Sequence, residues 1–397
     1  MLDSINIGMT GLNGYAQGLR VIANNTANLN TPGFKSSTQQ FADMFSHGGG
    51  PGSAGMNAAS AGQGGNGLTM NGTSLNFKQG EMRQTGNALD LAVNGEGLFT
   101  LKDAQGKLHY TRAGQFAFDQ SGKLVNRTDG AQVMGMDSAN KLSAISLNAL
   151  RMQSGKPTAT VQLSGNLSST ATEQNISGLS LFDAAGVKHD LTLNLKPSGA
   201  ANPNSWDLTL MEGAVSAGTA TLLFSGSAPT AASALVNLTY SPAGQAAQNL
   251  TLDFSHNVTS FAAGNASTLE VISQDGFAAG DLSKTSFDAS GTLILNYTNG
   301  QTVKGMRLAL GRFDSSDAIA QTGGNQFDAI DAHAWHSGAA GDGGFGDISS
   351  GTLETSNVDL SQAFSELVIL QRGYQASSQI ISTANDMLQE LFAMKSK

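Results

Sequence analysis

Several residue types are scarce in this chain, and each scarcity excludes a class of protein. None of the 397 residues is cysteine, which excludes disulfides, thiolate zinc sites and cysteine nucleophiles. The 21 basic residues are scattered singly among 30 acidic ones, whereas nucleic-acid binding needs clustered lysine and arginine. No apolar run is long enough to cross a bilayer. We therefore expect no nucleic-acid partner and no membrane insertion.

Charged residues make up only 13% of the chain and aromatic residues 6%, while glycine alone numbers 49. The N-terminus also lacks the pattern of a secretory signal peptide. Its first basic residue is Arg20, and Gly8, Asn13 and Gly14 interrupt the early apolar residues. A protein of this kind that works outside the cell would need another export route.

Both ends of the chain, by contrast, carry apolar residues at a spacing of seven. This spacing is typical of helices that pack along their length, and it predicts an antiparallel, coiled-coil-like pair that joins the two ends. The contact residues expected on the N-terminal helix are Ile5, Leu12, Tyr15, Leu19, Ile22 and Leu29. Those expected on the C-terminal helix are Leu360, Phe364, Leu367, Leu370, Tyr374, Ile381, Leu388 and Leu391.

The apolar arc of the C-terminal helix is too wide for one partner helix to cover. The rest of the sequence offers no other helix of that length. Two interpretations follow: a hairpin that only joins the two ends within one chain, or a surface that identical neighbours cover. The width of the arc favours the second, and the expected partner is a homopolymer.

Between the helices, short segments alternate with period two and are separated by turn residues, as in antiparallel strands. The predicted fold class is multidomain α+β, with the terminal helix pair and two nested mainly-β domains, the outer one inserted in the inner one. A short helix is expected around residues 35–47. The predicted boundaries are 1–30 with 356–397 for the helical assembly domain, 31–70 with 337–355 for glycine-rich connectors, 71–147 with 280–336 for the inner β domain, and 148–279 for the outer β domain.

Three patterns that could carry chemistry have plainer explanations. Gly62–Gly67 matches a dinucleotide-binding spacing, but it lies in a glycine-rich run without the strand and helix that the fingerprint requires. Asp328, Asp331, His333 and His336 lie close in sequence, and two histidines three residues apart on a helix could approach one metal, but the residues between them give no scaffold signature. Glu81, Glu96 and Glu212 have no recognisable active-site context. No enzyme activity, cofactor or metal is expected.

One longer motif is more specific than any of these. It reads Ala23, Asn24, Asn25, Thr26, Ala27, Asn28, Leu29, Asn30, Thr31, Pro32, Gly33, Phe34 and Lys35. This segment resembles the N-terminal signature of the bacterial flagellar rod and hook axial proteins. Residues 94–99 and 110–116 resemble the β-domain motifs of that family, and residues 353–360 with 371–375 resemble its closing helix. Residues 148–279 match no motif of the family.

Within that family, the length of 397 residues and the single inserted domain resemble the hook subunits more than the shorter rod subunits. The resemblance implies a structural subunit of a curved tubular polymer that works as a universal joint. It also implies an extracellular location in the basal body and hook, export by the flagellar type III apparatus, and contacts with rod, hook cap and hook–filament junction proteins. The alternative is another axial component, such as a distal rod or hook-associated protein.

Overall fold

The computed structural model describes residues 2–44, 67–137, 139–199, 204–241 and 246–395. Residues 45–66 of the predicted connector at 31–70 therefore lie outside the described residues, as does the Gly62–Gly67 motif except for Gly67 itself. Two α-helices stand at the ends, Leu2–Ala27 (α1) and Leu360–Lys395 (α2), and the body between them is mostly β-strand. Neither helix combines the length and hydropathy needed to span a membrane. The α+β composition of the chain is confirmed.

The strands are numbered in chain order. Those up to residue 153 are β1 (Ser37–Asp43), β2 (Leu68–Leu75), β3 (Met82–Gln84), β4 (Leu91–Asn94), β5 (Leu98–Lys102), β6 (Leu108–Thr111), β7 (Phe116–Phe118), β8 (Leu124–Asn126), β9 (Gln132–Met136), β10 (Leu142–Ala144) and β11 (Met152–Gln153). Those up to residue 274 are β12 (Thr160–Asn166), β13 (Gln174–Phe182), β14 (Lys188–Pro197), β15 (Ser205–Glu212), β16 (Val215–Ser225), β17 (Ala228–Pro229), β18 (Leu235–Tyr240), β19 (Gln248–Asp253), β20 (Val258–Thr259) and β21 (Glu270–Gln274). The remaining strands are β22 (Gly280–Phe287), β23 (Thr292–Tyr297), β24 (Thr302–Phe313), β25 (Ile319–Gly323), β26 (Gln326–Ala329), β27 (Trp335–Ala339), β28 (Asp347–Ser350) and β29 (Thr352–Glu354).

The chain divides into two compact units. The first unit comprises Met1–Asn148, Thr285–Ile294 and Lys304–Lys397, and the second comprises Ala149–Lys284 and Leu295–Val303. Each unit buries its own apolar residues, so each has a core in the usual sense of a domain.

The first unit holds both helices and an antiparallel sheet in the order β24-β9-β5-β6-β26-β25. Two further strand pairs, β4 with β28 and β3 with β29, bring residues near 90 together with residues near 350. Phe99 and Phe116 are fully buried and meet edge to face, with ring centroids 5.0 Å apart. This geometry suits the quadrupole of aromatic rings.

In the second unit, two sheets enclose one core. One sheet runs β13-β14-β15-β16-β17, and the other runs β18-β19-β12-β20 with β21 beside β12. Leucines at every second position of β14 and β15 point inward, including Leu193, Leu208 and Leu210. Phe254 and Tyr240 fill the same core from the other sheet and its flank. The alternation along these strands is the sequence signal from which a β-sandwich is expected.

Several hairpins share one turn chemistry. In each, an aspartate carboxylate accepts a hydrogen bond from the backbone N–H four residues on, and the residue three positions on has a positive φ. The glycines and the single asparagine at that third position tolerate this conformation at low cost. The aspartates are Asp103, Asp119, Asp137, Asp183 and Asp288.

The prediction of a connector at residues 337–355 is wrong. Trp335–Ala339 pairs with β24, Asp347–Ser350 with β4, and Thr352–Glu354 with β3. Leu353 and Glu354 are buried. Glycines here bend the chain between short strands; Gly351, for example, has a φ of 72° in the turn between β28 and β29. A high glycine content therefore does not identify a connector here.

The predicted helix around residues 35–47 is also wrong, as is the connector at 31–70 for the part described. Ser37–Asp43 is a strand, β1, and it pairs antiparallel with β2. Thr38, Gln39 and Phe41 are compatible with either structure when taken alone. The segment forms a strand because it pairs with β2, which is close in space although it begins only at Leu68.

Adjacent leucines on β16 give a direct test of the strand register in the second unit. Leu222 is fully buried, whereas the next residue, Leu223, is 46% exposed. We expect Leu222→Ala to lower the free energy of unfolding by about 2–5 kcal/mol, because it leaves a cavity. Leu223→Ala should change it by less than about 0.5 kcal/mol. Equal effects in urea denaturation would show that this register is incorrect.

Candidate assembly surface and its anchor

The two terminal helices lie against each other through small residues. A Cβ atom added to Gly8 would lie 2.7 Å from Cγ1 of Ile381, and one added to Gly11 would lie 2.7 Å from Oγ of Ser377. On α2, Gly373 likewise leaves room for the ring of Tyr15. Because glycine has no side chain, the backbones of α1 and α2 can approach closely. The many short contacts then add up to dispersion energy that stabilises the helix pair.

A neighbouring face of α1 is covered by the antiparallel pair of strands β1 and β2. Gly14 faces Leu68 and Phe41, and the rings of Tyr15 and Phe41 meet edge to face at 6.0 Å. The backbone N–H of Leu68 donates to Oγ1 of Thr10 at 3.2 Å. α2 and this strand pair leave Ile7 and Met9 of α1 39% and 54% exposed, beside exposed polar residues such as Asn13.

The structure buries only a minority of the predicted contact residues. Ile22 and Leu370 are buried and form a small apolar cluster with Ala363. The half-buried members are Ile5, Leu12, Tyr15, Leu19, Leu29, Leu367, Ile381 and Leu388. The exposed members are Leu360, Phe364, Tyr374 and Leu391. The row of α2 that is most deeply buried is Ala363, Leu370, Ser377 and Ala384, again spaced by seven.

A second apolar row on α2 has no cover among the described residues. Ile369, Ile380, Met387 and Met394 are 65%, 47%, 53% and 72% exposed. At 3.6 residues per turn they fall within about 40° of one another around the helix. Leu391 extends the row, and Phe364 and Val368 are exposed on another side of the same helix.

The signature motif forms the anchor that ties α1 to the β body. The side-chain amide of Asn25 donates to the carbonyl of Ser37 at 2.8 Å and accepts from the N–H of Ser37 at 3.0 Å. This buried pair replaces the backbone partner that Ser37 would otherwise need. Beyond Ala27 the chain turns, and Oγ1 of Thr31 donates to Asn28 at 3.0 Å. The predicted helix end at residue 30 is therefore three residues late.

Gly33 follows, and only glycine fits its position. Its φ is 69°, and a Cβ there would lie 2.5 Å from the backbone carbon of Arg112. Its N–H donates to the carbonyl of Glu354 at 2.7 Å. Phe34 is buried beside it, and Asn325 donates to the carbonyl of Pro32 at 2.7 Å. Ala23, Asn24 and Asn30 of the same motif are exposed.

At the end of the motif, Lys35 is fully buried in a cluster of charges. Its ammonium donates to Oε1 of Glu354 at 2.6 Å and to the carbonyl of Lys78 at 2.9 Å. The other carboxylate oxygen of Glu354 accepts from Arg112 at 3.2 Å. Arg112 also donates to the carbonyls of Val93 and Gly95. Each of the three charged groups thus has a partner of opposite charge, and within the described residues Nε of Arg112 is the one nitrogen of its guanidinium that is buried without a hydrogen bond.

Burial lowers the pKa of Lys35, and the neighbouring Glu354 carboxylate opposes that shift. Burial likewise lowers the pKa of Arg112 against the attraction of Glu354. Two cations share one carboxylate, so removal of Glu354 would leave both uncompensated in a medium of low dielectric.

This cluster brings together the three segments that carry the family motifs. Lys35 ends the N-terminal motif, Arg112 lies in residues 110–116, and Glu354 lies in residues 353–360. Asn357 adds a second link, because its side chain accepts from the N–H of Ser36 at 2.8 Å and donates to the carbonyl of Asn76 at 2.7 Å. Reasoning from sequence did not find this contact. A charged residue inside each motif was the available signal, but it does not identify the partners.

The residues considered for a metal site each contact a different partner. Asp328 pairs with His109 and Lys107, while His336 contacts Asp314 at 3.0 Å. Asp331 accepts from the N–H of His333 at the start of a 3-10 turn. Within the described part of the chain, no three histidine or acidic residues are placed to hold a metal ion.

Comparisons with known proteins agree with the position of these motifs. Residues 5–35 match the model described as flagella basal body rod protein, and residues 92–169 match the flagellar hook protein FlgE/F/G D1 domain. Residues 349–394 match the flagellar basal body rod FlgEFG protein C-terminal model. The three matches contain Lys35, Arg112 and Glu354 respectively.

Whole-chain relatives carry the same description. The flagellar hook protein FlgE of Escherichia coli is 30% identical over 98% of this chain and 98% of its own length. That of Salmonella typhimurium is 30% identical over 99% and 100%, and that of Borreliella burgdorferi is 28% identical over the full length of both. A crystal structure of Helicobacter pylori FlgE2 has a TM-score of 0.50 and 12% identity, covering 69% of this chain and 100% of that one. This last likeness concerns the fold alone.

We expect Glu354→Gln to destabilise the first unit strongly, by about 3–5 kcal/mol, because Lys35 and Arg112 would remain buried without a counter-charge. The matched control is Asp342→Asn. Asp342 pairs with Arg307, but its side chain is 60% exposed, so we expect a loss within about 1 kcal/mol. Chemical denaturation measures both. A small loss for Glu354→Gln would mean that the buried cluster does not hold the three segments together.

We expect Gly11→Val to weaken the contact between α1 and α2 by about 1–3 kcal/mol, because its side chain would overlap Ser377. Valine is a better helix former than glycine, so propensity alone predicts the opposite sign. Asn13→Val, on the exposed face of the same helix, is the control. Thermal loss of the helical circular dichroism signal checks both variants, and equal midpoints would contradict the tight contact.

Proposed function

The chain belongs to the family of flagellar hook proteins, and from this premise we propose that it assembles through its terminal helices into the curved tubular polymer of the hook. It is a structural subunit, and the surface that joins its copies is the uncovered side of α2. The observation that carries this proposal is the exposed apolar row Ile369, Ile380, Met387 and Met394.

The energetics support this choice of surface. Full burial of a side chain such as isoleucine or methionine contributes about 1.5–3 kcal/mol. Contiguous exposed apolar patches are rare on monomeric proteins and usually mark an interaction site. The row contains no charged residue, so a neighbour can cover it without stripping water from an ion.

The two helices would then have different roles. α1 already packs against both α2 and the β1–β2 strand pair, and its exposed large apolar residues are Ile7 and Met9. α2 is held on one side only and turns its remaining apolar surface outward. We assign the subunit-to-subunit contact mainly to α2, with α1 and the buried charge cluster positioning it on the β body.

The nested arrangement of domains belongs to the same proposal. The chain enters the second unit at Ala149 and is back in the first unit at Thr285, and it contributes one more short segment, Leu295–Val303, to the second unit. Exposed or half-exposed positions of its sheets carry small neutral residues, such as Thr192, Asn194, Thr209 and Thr221. Surfaces of this kind form few fixed ion pairs, so neighbouring copies could slide past one another as the tube bends and transmits torque as a universal joint.

Partners and location follow by analogy with the family. We propose an extracellular position in the hook and basal body, export by the flagellar type III apparatus, and end contacts with rod, hook cap and hook–filament junction proteins. A distal rod or hook-associated role is the second candidate. Fluorescent or gold labelling of the subunit in intact flagella separates the two, since only a hook subunit labels the whole curved segment.

We expect the double variant Ile369→Glu/Ile380→Glu to stay monomeric under conditions in which the wild type polymerises, because two charges would be buried at the contact. The control is Gln375→Glu/Gln379→Glu, which adds the same charge to exposed polar positions of the same helix. Sedimentation and negative-stain microscopy follow assembly, and circular dichroism verifies the fold. If the isoleucine variant forms tubes as readily as the control, α2 is not the contact surface.

A further inference from the structure

Two hairpins, one in each unit, share a sequence pattern and a side-chain geometry. Both lie outside the family motifs and outside the proposed assembly surface. Residues 103–109 and 183–189 both read Asp-Ala-x-Gly-x-x-His. In both, the aspartate closes the turn through the N–H four residues on, at 2.7 and 2.8 Å. The second carboxylate oxygen of each aspartate lies 3.1 or 3.2 Å from Nε2 of the histidine.

The other ring nitrogen of each histidine contacts a second carboxylate. Nδ1 of His109 lies 2.5 Å from Asp328, and Nδ1 of His189 lies 2.8 Å from Glu212. Both histidine side chains are mostly buried, with 13% and 15% exposure. Each imidazole therefore stands between two acids, and both of its nitrogens are used.

The chemistry of imidazole limits which form fits this geometry. A neutral ring has one N–H donor and one nitrogen that can only accept, whereas an ionised carboxylate only accepts. A neutral histidine would thus satisfy one acid and turn a lone pair toward the other. The imidazolium ion donates from both nitrogens and matches both acids.

We propose that His109 and His189 are imidazolium clamps that remain charged in the folded protein at neutral pH, each joining its hairpin to a second strand. His109 joins the β5–β6 hairpin to β26, and His189 joins the β13–β14 hairpin to β15. Both units thereby carry a contact that deprotonation releases. This inference does not depend on how the chain assembles.

The surrounding charges are consistent with this assignment. The groups facing His109 are Asp103, Asp328 and the Lys107 ammonium that also pairs with Asp328. Burial alone would lower the pKa of His109, but its hydrogen bonds to Asp103 and Asp328 outweigh burial and raise it above 6.5.

The groups facing His189 are Asp183, Glu212 and the Tyr240 hydroxyl, which donates to Glu212 at 3.1 Å. The Tyr240 ring also meets the imidazole edge to face at 5.8 Å. Burial again opposes the charge, and the hydrogen bonds to Glu212 and Asp183 raise the pKa of His189 above 6.5.

The direction of the pH effect follows from linkage. Because the folded pKa of each histidine lies above the unfolded value of about 6.5, the stabilisation is complete below that value and is lost as pH rises through the folded pKa. The pKa of Asp103 is lowered by its hydrogen bond to His109, so that carboxylate stays ionised over the same range.

NMR titration of the full-length wild type with ring-labelled histidine tests the proposal without any substitution. We expect the ring nitrogens of His109 and His189 to show imidazolium shifts at neutral pH and to titrate above 6.5, with His109→Gln and His189→Gln supplying the assignments. Neutral tautomers at pH 7, or midpoints at or below 6.5, would overturn the proposal.

Thermal unfolding over about pH 6 to pH 9 gives an independent readout. We expect the wild-type midpoint to fall across this range and the fall to become smaller in His109→Gln and in His189→Gln, since glutamine carries no charge at any pH. His336→Gln is the control, because His336 is half-exposed and contacts a single carboxylate, Asp314. An unchanged pH slope in both clamp variants would contradict the assignment.

Discussion

The arrangement of the first unit depends on one buried carboxylate. Glu354 accepts from Lys35 and Arg112, and its backbone carbonyl accepts from Gly33, so three segments far apart in sequence meet at one residue. A buried ion cluster of this kind contributes less to net stability than to specificity, because the desolvation cost cancels much of the attraction. Its physical role is to raise the free energy of any other pairing of these segments, because such a pairing would leave a buried charge without its partner. The helices at both ends are held on the β body by this choice of partners.

The terminal helices show why a pattern of period seven can carry two meanings. Large residues at that spacing predicted the contact between α1 and α2, yet the closest approach is made by Gly8, Gly11 and Ser377. Small residues let the helices pack tightly and leave several large ones, such as Ile369 and Met387, on the outside. The contact with α1 and the surface that we propose for other copies therefore lie on different rows of one helix.

Glycine holds ordered structure in two ways along this chain, and composition alone does not distinguish either from a flexible connector. Gly33 and Gly351 hold fixed turns with positive φ, and Gly8 and Gly11 hold close helix contacts. The glycine-rich composition near residue 350 predicts a connector, because stretches of this kind are often flexible. Pairing with strands near residue 90 converts it into ordered sheet, and that pairing is non-local.

Local spacing along the chain was enough to predict helices at both ends, alternating strands between them, and the motifs of residues 23–35, 110–116 and 353–360. It could not determine which of those motifs touch, since Lys35 and Glu354 are separated by most of the chain. It also could not place Ser37–Asp43 in a strand or pair His109 with Asp328. These three features depend on hydrogen bonds and ion pairs between residues far apart in sequence. Such contacts form only where the fold of the whole backbone brings the residues together.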